Sequence, residues 1–266
     1  MRVRKATVDL VDHDQMLQLF AKVTDEVNTS LEKLDDWTLR GKTGEANSHA
    51  GQYTHDLVAD EAVLAVLDGA DVGILSEESG LHNGDRDVIV VVDPVDGSTN
   101  ASCGIPWYAT SLAAVVDGQV EVAMVTNLAT GTRFEATRGG GARRDGVAVR
   151  PNTTESLGDA IVAFSGYPKT YFGWRQYRSL GASALDLCAV ASGTLDGFLD
   201  LHALAPWDYL GALLICEEAG VGCVDVHGRD AVVLDHEARR SMAAGVTPGV
   251  LDSLIAARLA GDSANL

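Results

Sequence analysis

The chain has 266 residues, 46% of them hydrophobic and 22% charged, a balance ordinary for a soluble globular protein with a sizeable core. With 20 Lys and Arg against 38 Asp and Glu, the formal net charge is −18, and long-range repulsion opposes generic binding to nucleic acid or to an anionic membrane. An anionic substrate stays admissible where bound divalent cations reverse the sign locally.

Near the start, Met1-Arg2-Val3-Arg4-Lys5 is basic, but Asp9, Asp12 and Asp14 break up the next ten residues, unlike a signal peptide. No apolar run approaches the roughly 18 residues of a membrane span. Cys103, Cys188, Cys216 and Cys223 are scattered without a CxxC pair. They read as structural thiols in a reducing cytoplasm and not as zinc ligands. Residues 8–34 place Leu10, Met16, Leu17, Phe20, Val23, Val27, Leu31 and Leu34 mostly on one helical face, which predicts a long amphipathic helix or two shorter ones. Residues 35–55 are polar, with Gly41, Gly44 and Gly51 and no periodicity, and read as a loop.

A second helix is expected over 56–67, ending near Gly69. A short strand at 72–75 runs into Ser76-Glu77-Glu78-Ser79-Gly80, whose paired acids suit a solvated loop as well as a site. Next comes Val88-Ile89-Val90-Val91-Val92, short, β-branched and bounded by polar residues, hence a buried strand. It leads into Asp93-Pro94-Val95-Asp96-Gly97-Ser98-Thr99-Asn100, two carboxylates on a turn that Pro94 stiffens and Gly97 loosens. Such a turn suits a hard cation, with the Val95 carbonyl joining Asp93 and Asp96; the ordinary alternative is a surface turn built of turn formers.

Beyond it, 110–116 and 120–128 alternate around Asp117-Gly118, a hairpin signal. Strands at 133–137 and 147–150 flank Gly139-Gly140-Gly141, read as a turn more than a phosphate cradle. Further strands are expected at 160–164, 177–180 and 198–201, and a helix over 182–192 is closed by Gly193. Pro206-Trp207-Asp208 starts an apolar helix through Glu218, with Asp208 near its positive end. The segments 222–226 and 242–246 and a final helix at 251–259 complete one α/β globule. It has two lobes, about 1–150 and 151–266, without independent domains.

Glu77-Glu78-Ser79, the octapeptide 93–100 and Trp207-Asp208 followed by Glu217-Glu218-Ala219-Gly220 resemble, in order and spacing, the motif set of the inositol monophosphatase family. The stretch Gly181-Ala182-Ser183-Ala184-Leu185-Asp186-Leu187 is also similar, so the resemblance covers roughly residues 56 to 226. It implies alternating α-β-α-β-α layers of the inositol monophosphatase and fructose-1,6-bisphosphatase type, and a Mg2+-dependent, lithium-sensitive phosphomonoesterase. By resemblance, Glu77, Asp93 and the Val95 carbonyl hold one ion, Asp93, Asp96 and Asp208 a second, and Glu77 a weaker third. Ser98, with Asp60 as the family's upstream acid, positions or deprotonates the attacking water; Asp56 is the alternative, because Asp56-Leu57-Val58-Ala59-Asp60 is two residues shorter than the family's segment. The Gly97 and Ser98 amides face phosphate oxygens, and Asp96, Gly181, Ala182, Ser183, Asp200 and Asp208 lie toward the substrate, Asp200 only with a one-residue shift.

The departures are Ala101 where the family has an aromatic, Val221 where it has a second glycine, and a segment 40–45 unlike its mobile loop. The implied substrate is a small polyol or sugar phosphate such as myo-inositol 1-phosphate. Histidinol phosphate and 3′-phosphoadenosine 5′-phosphate are the alternatives, and a non-catalytic metal-binding scaffold is a third. The resemblance also implies a cytoplasmic homodimer with no nucleic-acid or membrane partner.

Overall fold

The computed structural model describes residues 11–34, 41 and 53–263. Five layers alternate, helix, sheet, helix, sheet, helix. The first layer is α1 (His13–Leu31) against α2 (Thr54–Leu67). The loop expected over 35–55 lies mostly outside the described residues, as do residues 1–10. Asp12 caps α1 by accepting from the Gln15 amide, and Met16, Phe20, Val23 and Val27 form the buried stripe that the spacing anticipated.

The second layer is an eight-stranded sheet in the order β2-β1-β3-β4-β5-β6-β7-β8. Its strands are β1 (Gly73–Ser76), β2 (Gly80–His82), β3 (Val88–Asp96), β4 (Ala109–Val116), β5 (Gln119–Asn127), β6 (Arg133–Thr137), β7 (Gly141–Arg144) and β8 (Val147–Ala148). Only the β1–β3 pairing is parallel. β3 is buried along its whole length because both faces are covered. Val88, Val90 and Val92 point to α1 and α2, while Ile89 and Val91 point to the middle layer. The β4–β5 turn carries positive φ at Asp117 (49°) and Gly118 (76°), as its Asp-Gly pair requires.

The middle layer holds α4 (Ser183–Ala191) and α5 (Pro206–Ala219); the six-residue α3 (Ser98–Cys103) stands at the end of β3. α4 and α5 are apolar on all sides because sheets lie both above and below them. At Gly211 an added Cβ would stand 2.8 Å from Ser111 Oγ and 3.2 Å from the Leu112 carbonyl, so α5 lies very close to β4. The fourth layer is a five-stranded sheet, β10 (Gln176–Arg178), β9 (Ile161–Ser165), β11 (Gly197–Asp200), β13 (Met242–Gly245) and β12 (Gly222–Asp225). The fifth is α6 (Pro248–Ser263), with Val250 and Leu254 against Val162, Phe164 and Leu199. Among the described residues no helix is long and apolar enough to cross a membrane.

Three elements depart from expectation. β2 takes residues read as the end of an acidic loop, β7 (Gly141–Arg144) directly follows the expected glycine turn in a stretch not read as a strand, and β3 continues through the acidic turn. The last has a physical cause: the β3–β4 register shifts between Asp93 and Asp96, a bulge that keeps the strand paired while re-aiming its side chains.

Candidate active site

The bulge places two acids inside the molecule. Asp93 is 2% exposed and its Oδ1 accepts from the Val95 amide at 3.0 Å, while the Pro94 carbonyl accepts from Thr110. Asp96 is 8% exposed and its two oxygens accept from the Ser183 and Ala184 amides, at 3.3 and 2.8 Å, at the start of α4. Glu77 follows β1, its amide donating to the Val92 carbonyl. Asp208 stands in the first turn of α5, where its Oδ2 accepts from the Ala205 amide at 2.7 Å. The ends of β1 and β3 and the start of α5 therefore bring Glu77, Asp93, Asp96 and Asp208 together.

Electrostatics records that convergence. Burial, then the charges of Glu77, Asp96 and Asp208, push Asp93 well above the usual carboxylate range. Burial and Asp208 do the same to Asp96. Asp208 is pushed up to about 8 by burial and by Glu77. Glu77 is raised first by burial, and its side chain and that of Asp93 act directly on each other. Next to it, Glu78 is pushed up to about 8 by burial and by Glu77, Asp56 and Asp60.

Among the described residues no three Asp, Glu, His or Cys side chains are already drawn to a common ligand position. The donor set nonetheless fits a hard divalent cation: all donors are oxygen, they are buried, and they repel one another when ionised. The positive groups that act on these acids, His236 on Glu77 and Arg239 on Asp208, are secondary to burial in each case.

The acid that meets Ser98 is Asp56, not Asp60. Asp56 lies in the first turn of α2, where its Oδ2 accepts from the Tyr53 amide at 3.1 Å. Burial raises its pKa; the charge of His55 and a hydrogen bond with Ser98 pull it back. Its Oδ1 is buried without a hydrogen-bond partner, 3.3 Å from His55 Nε2. Asp60, one turn on, instead accepts from Ser76 Oγ at the end of β1. One helical turn separates the two acids, and only the first looks toward α3. Ser98 Oγ also lies 3.0 Å from the Val95 carbonyl, which competes with Asp56 for its single hydrogen.

On the opposite side, Gly97 and Gly181 both have φ of 90° and face each other: a Cβ on Gly97 would lie 3.1 Å from the Gly181 carbonyl and from Ala182 Cβ. Ser183 begins α4 and is 8% exposed. Asp200 ends β11 fully buried, its Oδ1 accepting from the His202 amide and its Oδ2 without a hydrogen-bond partner. Burial raises it, and its charge reaches Asp208.

Two residues at the site carried no signal in the sequence. His236 Nε2 stands 3.1 Å from the Glu77 carbonyl, and its ring lies 4.6 Å from that of Trp207. The Arg239 guanidinium lies over the same Trp207 ring at 5.7 Å. Both sit in an irregular stretch, where neither periodicity nor spacing marks them. The Gly139–Gly141 segment is a turn held by Glu218, whose carboxylate accepts from the Gly139 and Gly141 amides at 2.8 Å.

Comparison with known proteins places this arrangement. The profile of the Inositol monophosphatase family matches residues 17–262. The chain belongs to that family. The relatives include the Nus factor SuhB of Salmonella typhimurium, 38% identical over 163 residues, which are 55% of this chain and 60% of the relative. The fructose-1,6-bisphosphatase/inositol-1-monophosphatase of Archaeoglobus fulgidus is 35% identical over 179 residues, 65% of this chain and 69% of the relative. The chain thus aligns with about 60% of the length of the SuhB relatives.

Among solved structures, a hypothetical protein from Pyrococcus horikoshii with similarities to inositol-1 monophosphatase superposes with a TM-score of 0.83 at 22% identity, covering 92% of this chain and 99% of its own. The extragenic suppressor protein SuhB of Bartonella henselae gives 0.79 at 26%, covering 92% and 98%. The five layers are those of the inositol monophosphatase and fructose-1,6-bisphosphatase fold, and the family is one of metal-dependent phosphatases acting on small phosphorylated substrates.

Proposed function

We propose that this chain is a Mg2+-dependent phosphomonoesterase that hydrolyses a small polyol or sugar phosphate such as myo-inositol 1-phosphate. The observation that carries the reading is the buried convergence of Glu77, Asp93, Asp96 and Asp208 beside the Asp56–Ser98 pair. Four acids without a comparable cationic partner are costly unless protonated or bound to cations. In this reading Glu77, Asp93 and the Val95 carbonyl would hold one Mg2+, and Asp93, Asp96 and Asp208 a second. Glu77 would also hold a third, weaker ion. Bound Mg2+ supplies a water of lowered pKa and neutralises charge on the transferring phosphoryl group.

The chain's own groups do the rest. Ser98 Oγ, anchored by the Val95 carbonyl, orients the attacking water, and the Asp56 carboxylate accepts its proton. A base whose pKa is raised by burial suits that task better than an exposed aspartate does. The Gly97 and Ser98 amides, entering α3, face the phosphate oxygens, while Gly181, Ala182 and Ser183 border the alcohol side. Asp200, whose charge acts on Asp208, would read a hydroxyl or an amine of the leaving group.

Phosphate release from a panel of phosphomonoesters, with Mg2+ and with EDTA, tests activity and substrate class together. Mg2+-dependent release from polyol phosphates is expected. Preference for histidinol phosphate or for a nucleotide would reassign the substrate, and no metal-dependent release from any ester would leave the scaffold reading.

A further inference from the structure

Asn100 closes the acidic turn, and its side chain does not face the acids. It is 8% exposed, and its Nδ2 lies 2.7 Å from the Trp107 carbonyl and 2.7 Å from the Leu180 carbonyl. Both partners are acceptors only, so the amide nitrogen must point at them and both of its hydrogens are used. The two carbonyls belong to different parts of the fold. Trp107 precedes β4 in the first sheet, and Leu180 lies 80 residues on from Asn100, in the loop that leads to α4.

Everything around this amide is fitted to close approach. A Cβ on Gly181 would stand 3.1 Å from Asn100 Nδ2, and one on Gly97 would stand 3.1 Å from the Trp107 carbonyl. Past Gly181, the Ser183 and Ala184 amides donate to Asp96. Trp107 in turn sends its indole Nε1 to Asp186 in α4, at 2.9 Å. We infer that Asn100 is a positioning residue: it staples the Leu180–Ser183 loop to the acidic turn and so sets where the alcohol side of the substrate meets Asp96.

This inference rests on the phosphomonoesterase reading for its kinetic consequence, but its structural part stands apart from it. Aspartate at position 100 keeps the shape and turns two donors into acceptors facing two carbonyls. Asn100→Asp is expected to raise KM about tenfold while kcat falls less than about threefold, because ordering of the binding loop is lost while the hydrolytic groups stay in place. Hydrogen exchange at the Ser183 and Ala184 amides is expected to accelerate in the same full-length variant. Asn100→Ser, which keeps one donor, is expected to show a smaller change in both measurements, and it carries the test if the aspartate variant fails to fold.

Unchanged KM together with unchanged exchange at those two amides overturns the inference. So does a loss of activity that only tracks the loss of folded protein. If the wild-type chain hydrolyses no ester, the functional reading fails and the exchange measurement alone decides the staple.

Discussion

The carboxylate of Asp56 and the hydroxyl of Ser98 meet across the junction of α2 and α3, with 41 intervening residues between them in sequence. Asp60, one turn along the same helix, is bound to Ser76. Substitution separates the two acids. Asp56→Asn is expected to lower kcat by about two to four orders of magnitude, the usual range for a lost general base. Asp60→Asn is expected to keep most turnover and to cost about 1–3 kcal/mol in stability, since it disturbs a buried hydrogen bond. Steady-state kinetics with urea denaturation on both variants checks the pair.

Asp93→Asn should abolish turnover without unfolding the protein. Asp93 is raised by burial and by three neighbouring acids, so a neutral side chain relieves repulsion in the cation-free state. Its melting temperature without Mg2+ is expected at or above that of the wild type, and the rise on adding Mg2+ should disappear. Thermal melts with and without the ion decide it.

Stability without cations should fall with rising pH. The folded-state pKa of Asp208, about 8, lies above the ordinary 3.8, so the folded protein keeps a proton that the unfolded chain has lost. The associated stability is fully present below the unfolded value and is lost as pH rises through the folded one. Mg2+ replaces that proton, so its stabilising effect should grow between about pH 5 and about pH 8. Melting temperatures at several pH values, with Mg2+ and with EDTA, test the sign.

Although its charge acts on Asp96, Asp186 lies outside the proposed ligand set. Burial pushes it up to about 8, against the pull of the Trp107 indole. Asp186→Asn keeps an acceptor for Trp107 Nε1 and removes the titration. The variant should gain stability relative to wild type as pH rises toward about 8, and paired denaturation curves would show the divergence.

Much of this was legible in the order of residues. The run 88–92 reads as a buried strand, and Asp117-Gly118 signals a hairpin, as both prove to be. Glu77 directly follows a strand, Asp96 ends one and Asp208 stands in the first turn of a helix, which is where a layered fold gathers its site. The choice between Asp56 and Asp60 was not legible, because both fall on neighbouring turns of one helix and the partner hydroxyl comes from another element. His236 and Arg239 were hidden for a related reason: an irregular segment has no period from which a facing direction can be read. β3's continuation past Asp93 depended on a bulge, a matter of pairing partners and not of local propensity.

The contact at Gly211 has a reach beyond its own position. Ser111 Oγ donates to the Trp207 carbonyl at 3.1 Å and would also be the first atom met by a methyl group at 211. Asp208 lies one turn upstream, on the same rigid rod. A single added methyl would tilt or lift that rod from β4 and carry the carboxylate away from Asp93 without touching either acid. The depth of an acid in this site is thus set, at one remove, by an absent carbon.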